Sequence, residues 1–184
     1  MVCIVVDDQI KLTLLENRHA ERIFELINSN REHLKRWLPW VDFTNNVADS
    51  KEFIELSRKR YIDNNGFNLA IVFKKEIVGV IGLHLVVWRN KHTSIGYWLG
   101  EGYQGNGIMT RATKALTTYC FEELGMNRVE IPVVPQNIKS RAIPERLGYK
   151  IEGTVRQCEW LDGEFYDHHL YGMLKNEWGQ CNDL

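Results

Sequence analysis

The sequence has no long apolar run. No stretch approaches the roughly 20 apolar residues that span a bilayer. Met1 to Asp8 carries a short apolar run without the basic n-region and long h-region of a secretion signal. The chain is therefore expected in the cytoplasm and off the membrane. Cysteine is sparse: Cys3, Cys120, Cys158 and Cys181 are scattered, with no CxxC pair and no metal-ligand spacing. That is the pattern of reduced thiols in a reducing compartment, with no metal. Neither sign of charge dominates, since the formal net charge is −1 and no block of Lys and Arg occurs. A nucleic-acid footprint is thereby excluded, whereas a basic protein or a polyamine remains open as substrate. Linkers, repeats and low-complexity tracts are missing too, so residues 1–184 read as a single domain with room for a sizeable core. G-x-S-x-G is absent, which disfavours a Ser-His-Asp hydrolase.

What is present is an alternation of helical and strand periodicities. Lys11 to Leu14 can form a first strand. Ala20, Ile23, Phe24 and Ile27 fall at helical spacing, and His33, Leu34, Trp37 and Leu38 continue it until Pro39. Trp37-Leu38-Pro39-Trp40 then forms an aromatic corner. Asp49 with Glu52 is a capping pair for a third helix. Asn64-Asn65-Gly66 marks a turn, after which Asn68 to Phe73 and Ile77 to Val87 predict a hairpin, and Thr93 to Leu99 a further strand. From Thr110 to Leu124, Ala112, Leu116, Tyr119 and Cys120 recur at helical spacing, with Gly125 placed to end the helix. Arg128 to Val134 predicts a strand, Arg141 to Leu147 a short helix, and Tyr149 to Thr154 and His169 to Leu174 two last strands. This order implies an α/β mixed sheet with helices on both faces.

The strongest local signal is Tyr103-Gln104-Gly105-Asn106-Gly107-Ile108-Met109-Thr110, between a strand and a long helix. Two glycines let successive N–H groups turn inward, and the helix presents its positive end at the same place. A pyrophosphate fits such a cradle; the bland alternative is a tight turn that only needs flexible residues. It is read as neither a Rossmann fingerprint nor a Walker loop, for which Gly-Lys-Ser/Thr is missing.

Gln104-x-x-Gly107-x-Met109 resembles the Q/R-x-x-G-x-G/A pyrophosphate loop of the GCN5-related N-acetyltransferase (GNAT) superfamily. Met109 departs from the usual final Gly or Ala, so its side chain must point away from the phosphates. Ile95-Gly96-Tyr97-Trp98-Leu99 resembles the family strand whose backbone holds the pantetheine arm. Asn137-x-x-Ser140 with Glu145-Arg146-Leu147-Gly148-Tyr149 resembles the second cofactor segment. Trp37-Leu38-Pro39-Trp40-Val41 and the segment Tyr171 to Trp178 resemble the RimJ/RimL-type ribosomal-protein N-terminal acetyltransferases. The resemblance covers nearly the whole chain. It implies the GNAT fold, with a mixed, mostly antiparallel sheet, acetyl-CoA as co-substrate and a homodimer. It also implies cofactor contacts from Trp98, Leu99, Gln104, Gly105, Asn106, Gly107, Ile108, Met109, Thr110, Asn137 and Ser140.

Acetyl transfer from a thioester needs a neutral amine, donors for the oxygen that gains charge, and a thiolate that leaves. The resemblance implies direct attack, and no cysteine stands in a nucleophile motif. Glu159, in Arg156-Gln157-Cys158-Glu159-Trp160-Leu161, matches in position the carboxylate proposed as base in RimL-type enzymes; Trp160 and Phe165 are placed to exclude water around it. Its alternative is an exposed carboxylate at a strand end. Ser140 is the candidate donor to the thiolate, or else an N-cap of the helix that follows. Asn137 is a pantetheine contact, or else a turn residue after Pro135. The oxyanion donor is expected to be a main-chain N–H near Leu99. Asp167-His168-His169 does not make a metal site, because adjacent strand residues point to opposite faces. His84 reads as a core or cleft histidine.

The acceptor implied by the resemblance is the N-terminal α-amine of a (ribosomal) protein. A small amine such as a polyamine or antibiotic is the alternative, and a non-catalytic acyl-CoA-binding module is a third. An α-amine has a pKa of about 7.7–8.0 against about 10.4 for lysine, so a modest carboxylate base suits it better.

Overall fold

The computed structural model describes residues 2–179. Within them, one sheet has the spatial order β1 (Cys3–Val5), β2 (Ile10–Leu14), β3 (Phe67–Phe73), β4 (Glu76–Val87), β5 (His92–Leu99), β6 (Arg128–Val133), β8 (Glu164–Leu174), β7 (Lys150–Leu161). The helices are α1 (Ala20–Ser29), α2 (Arg31–Lys35), α3 (Val47–Ile62), α4 (Ile108–Glu122), α5 (Ile138–Arg146) and α6 (Lys175–Trp178). Among the described residues every neighbouring strand pair is antiparallel except β5–β6. The mixed, mostly antiparallel sheet with helices on both faces is the expected fold.

The two-residue period of the strands divides the core. Leu69, Ile71, Ile81, Leu83, Ile95 and Leu99 join Ala112, Leu116 and Cys120 of α4 on one face. Ala70, Val72, Val80 and Trp98 join Ala20, Ile23, Leu26 and Ile27 of α1 on the other. With both faces covered, β3 is buried from Phe67 to Val72, which is why it reads as a continuous apolar run. The feature that positions the site is a divergence. β5 and β6 pair only at His92–Arg128, Thr93–Val129 and Ser94–Glu130, and beyond Ser94 the two strands part.

Four local expectations are corrected. β1 precedes the strand expected first. The α3 cap is Asn46 rather than Asp49: Asn46 Oδ1 accepts from Ala48 N at 2.8 Å and Asp49 N at 3.3 Å, while Asp49 accepts from Asn46 N at 3.0 Å. α5 begins three residues early, at Ile138, because Asn137 caps it; Ser140 therefore lies in its first turn and is not the N-cap. β7 runs on to Leu161, turning into β8 through Asp162 and Gly163 at φ 46° and 87°. Arg156, Gln157 and Cys158 bulge out between Val155 and Glu159, with Gln157 at φ 51°, and so break the alternation that marks a strand in sequence. Cys3 and Cys158 are exposed free thiols and Cys120 is buried; Cys181 lies outside the described residues.

Candidate functional site

Where β5 leaves β6, its backbone faces an open gap. Gly100 N donates to Val78 O at 2.9 Å, which extends the β4–β5 register of Gly79 with Leu99. Hydrogen-bonded pairs alternate along an antiparallel ladder, so the amides of Tyr97 and Leu99 point away from β4 and into the gap.

Beyond β5 the chain makes a short 3-10 turn, Glu101–Tyr103, and enters α4 through Gly105 and Gly107 at φ 79° and 66°. Gly107 is the N-cap residue, and α4 has no side-chain cap hydrogen bond. Its first amides therefore face outward unpaired by any cap, with the helix dipole behind them. A Cβ added at Gly105 would meet nothing within 4 Å, and one at Gly107 only Arg111 Nε at 4.0 Å. Both glycines thus face open space at the start of α4. Asn106 braces the loop by donating to Tyr103 O at 3.2 Å and Gln104 O at 3.1 Å. Arg111 ties it to the sheet, bonding Asp7 Oδ2 at 2.6 Å and Asn106 O at 3.2 Å. Burial acts to raise the Asp7 pKa, but the amides of Gln9 and Ile10 and the Arg111 guanidinium together hold it below the usual value. Gly100, Gly102 and Gly105 do stand at the spacing of a dinucleotide fingerprint. All three precede α4, however, so none packs helix against strand as that motif's third glycine does.

Cradle and gap open into one cavity of about 860 Å³. Trp98, Leu99, Gln104, Gly105, Gly107, Ile108, Met109, Thr110, Asn137 and Ser140 line it. Met109 is 7% exposed and packs into the core beside Ala112, which keeps its side chain off the cradle. Asn106, which is exposed, is not among the lining residues. On α5, Asn137 Oδ1 accepts from Ser140 N at 3.2 Å. Tyr97 donates to Ser140 O at 3.1 Å, and Ser140 Oγ lies 3.5 Å from the Tyr97 hydroxyl. The far wall is apolar, formed by Leu34, Trp37, Leu38 and Trp98, with Trp40 set against Trp98 at 6.0 Å between ring centroids.

Sequence reasoning missed the charge of this cavity. Arg111, Lys139 and Arg146 line it, and Glu101 is the one carboxylate among its lining residues. In a chain of net charge −1 this concentrates positive potential where an anion would enter. Gln104 bridges the mouth, its Nε2 2.8 Å from His33 Nε2 and its Oε1 accepting from Lys139 Nζ at 2.8 Å. The signal was available for Arg111, four residues after Gly107 on the same helix face, and for Lys139 inside Asn137-x-x-Ser140.

Glu159 is not brought into the cavity wall. It sits at the end of the β7 bulge, its side chain 32% exposed, with Oε2 3.4 Å from His168 Nε2. Burial pushes the His168 imidazole below its ordinary pKa, against the opposing pull of Glu159. Trp160 and Phe165 do not wall off Glu159 as expected. They meet edge to face, with ring centroids 4.6 Å apart, and are 54% and 60% exposed. Among the described residues no group of three or more His, Cys, Asp or Glu is placed to hold a metal ion, and no helix is long and apolar enough to cross a membrane.

The Acetyltransferase (GNAT) domain model matches residues 9–150. YdaF of Bacillus subtilis strain 168, which carries the name of a ribosomal N-acetyltransferase, is 38% identical over 174 residues, 94% of this chain and 95% of that protein. Among solved structures, RimL, the ribosomal L7/L12 alpha-N-protein acetyltransferase in complex with coenzyme A, superimposes with a TM-score of 0.91 at 25% identity, covering 94% of this chain and 98% of that one. The microcin C7 self-immunity acetyltransferase MccE, in complex with acetyl-CoA and AMP, gives 0.88 at 34% identity, covering 92% and 94%.

Proposed function

This chain belongs to the GNAT acetyltransferase family, and from that premise we propose that its cavity binds acetyl-CoA and passes the acetyl group to the α-amine of a protein N-terminus. The chain is an N-acetyltransferase, similar to the RimJ/RimL-type enzymes. The observation that carries the cofactor reading is the single cavity in which an uncapped helix N-terminus, two open left-handed glycines and a parted strand pair meet. Acetyl-CoA supplies a thioester carbonyl when bound. The α4 amides and the lining cations hold its phosphates. The Leu99 amide, aimed into the gap, donates to the carbonyl oxygen as it gains charge. The amine attacks directly: the C–N bond forms, the C–S bond breaks, and its electron pair stays on sulfur beside the Ser140 hydroxyl. Cys120 is no nucleophile, since burial pushes its thiol pKa up. Glu159 accepts the amine's proton through an intervening water, in keeping with its place outside the cavity wall.

The apolar wall of Trp37, Leu38 and Trp98 suits a peptide end. RimL's name gives a ribosomal protein as its acceptor, and we extend that class to this chain. The MccE match, solved with AMP, favours a small nucleotide-bearing amine as the second reading. Thiol release with matched peptides, one blocked at its N-terminus and one lacking lysine, decides between them. Activity on the lysine-free peptide alone is expected. Activity on the blocked peptide alone, or only on a small amine, overturns the α-amine reading. We also propose a single cytoplasmic domain that forms a homodimer. In support, the edge strand β7 leaves Ile151, Val155 and Trp160 exposed. Light scattering at micromolar concentration tests the dimer.

A further inference from the structure

We propose that Tyr97 is a positioning residue for acetyl transfer: its hydroxyl is parked beside Ser140 and turns onto Ser140 Oγ as the Oγ–H turns to the departing sulfur. The proposal rests on Ser140 being the group that meets the thiolate.

The reason for the parking lies in the sequence. In a helix, the carbonyl of residue 140 accepts from the N–H of residue 144. Residue 144 is Pro144, inside α5, and proline has no N–H. Ser140 O is thus left without its helical donor. Tyr97 fills the vacancy from β5, donating to Ser140 O at 3.1 Å. The phenol oxygen is thereby brought within 3.5 Å of Ser140 Oγ. Both residues line the cavity, and Tyr97 lies past the last β5–β6 pair, beside the gap that takes the pantetheine arm.

Counting hydrogens shows what this arrangement can do. Each hydroxyl has one donor and two acceptor pairs. At rest the Tyr97 proton goes to Ser140 O, and the Ser140 proton points along the longer contact toward Tyr97. When the C–S bond breaks, the Ser140 proton is drawn to the sulfur. Oγ then has both lone pairs free, and the tyrosine O–H, rotating about its one C–O bond, can donate a hydrogen bond to it. The resulting chain, Tyr97 O–H to Ser140 Oγ–H to sulfur, polarises each link in turn. No proton leaves Tyr97, because burial raises its pKa well above the ordinary value. The sulfur keeps the electron pair and takes its proton from solvent. The amine's proton leaves separately toward Glu159.

The test uses Tyr97→Phe, Ser140→Ala and the double variant, with turnover at saturating acetyl-CoA, acetyl-CoA affinity and melting temperature. One supporting hydrogen bond predicts a loss of turnover of about 3- to 10-fold in Tyr97→Phe, with affinity within about twofold. If Tyr97 acts through Ser140, the double variant turns over at the Ser140→Ala rate. Losses that multiply overturn the proposal, as does unchanged turnover in Tyr97→Phe. Unchanged turnover in Ser140→Ala instead sinks the reading of Ser140, and the proposal with it. Pro144→Ala returns a helical donor to Ser140 O, so Tyr97→Phe in that background keeps the carbonyl satisfied and the helix closed. A purely structural Tyr97 then becomes dispensable, whereas a turnover loss that persists supports the proposal.

Discussion

Replacing Gly107 by valine tests the cofactor cradle, and the structure lets its two consequences be separated. Gly107 has φ 66°, and an L-residue in the left-handed region costs about 1–2 kcal/mol. For a chain of this size each kcal/mol lowers the melting temperature by about 2–4 °C, so a drop of about 2–8 °C is expected from strain alone. The new Cβ meets nothing closer than Arg111 Nε at 4.0 Å, so the free protein should still fold. In the proposed cradle, that space is where a phosphate would approach the α4 amides. Losing one charge-assisted hydrogen bond, at about 1.5–3 kcal/mol, weakens binding by roughly 10- to 150-fold. Gly125→Val is the control. It has the same φ of 66°, at the other end of α4, and its Cβ also meets open space. Both variants should lose similar stability, and only Gly107→Val should lose affinity for acetyl-CoA by calorimetry. A folded Gly107→Val protein with wild-type affinity would refute the cradle, and equal affinity losses in both would trace the effect to strain.

Glu159→Gln should lower turnover at pH 7 by about 10²–10⁴-fold, with acetyl-CoA affinity little changed, and the deficit should shrink as pH rises and more amine arrives neutral. A difference under about threefold at pH 7 would show that Glu159 is not the base. Trp37→Ala should raise the KM for a peptide acceptor while leaving acetyl-CoA affinity within about twofold, because Trp37 lines the apolar wall; the opposite split would move Trp37 to the cofactor side. Burial lowers the His168 pKa from 6.5, so the fold favours the neutral ring. That contribution is complete above about pH 6.5 and is lost as pH falls through the folded-state value. The decline in melting temperature from pH 7.5 to 5 should flatten in His168→Gln, and an unchanged slope would count against this assignment.

How legible the chain was depended on whether a signal was local. The Gly105–Gly107 loop could be read because its requirement is local: φ near 70° at two positions, followed by a helix start. The buried strands β3 and β5 were legible for the same reason. The α5 start was misread because Ser140 and Asn137 are both good caps, and only the observed bond from Ser140 N to Asn137 Oδ1 decides between them. The continuation of β7 was hidden by Arg156-Gln157-Cys158, whose polar run imitates a loop. It stays in the strand because Asp167 on the opposite strand accepts from Gln157 N at 2.8 Å.

The site was less legible than the fold, because its working parts come from distant segments. Nothing in Ile95-Gly96-Tyr97-Trp98-Leu99 says that the Tyr97 hydroxyl reaches a carbonyl 43 residues away. Nor does Pro144, read alone, look like more than a flaw in a helix. The two make sense together: the proline removes a donor, the tyrosine replaces it, and a phenol comes to rest beside the serine that faces the cavity. Likewise Asp7, in the turn between β1 and β2, becomes part of the cradle only when the fold brings Arg111 across from α4. Glu159 is the reverse case. Its sequence position pointed to the site, but the fold leaves it on the bulged edge strand against His168. Its proposed role as base therefore needs a path for the amine's proton to that edge strand. A water that relays the proton meets that need in the proposed mechanism, without moving the cradle.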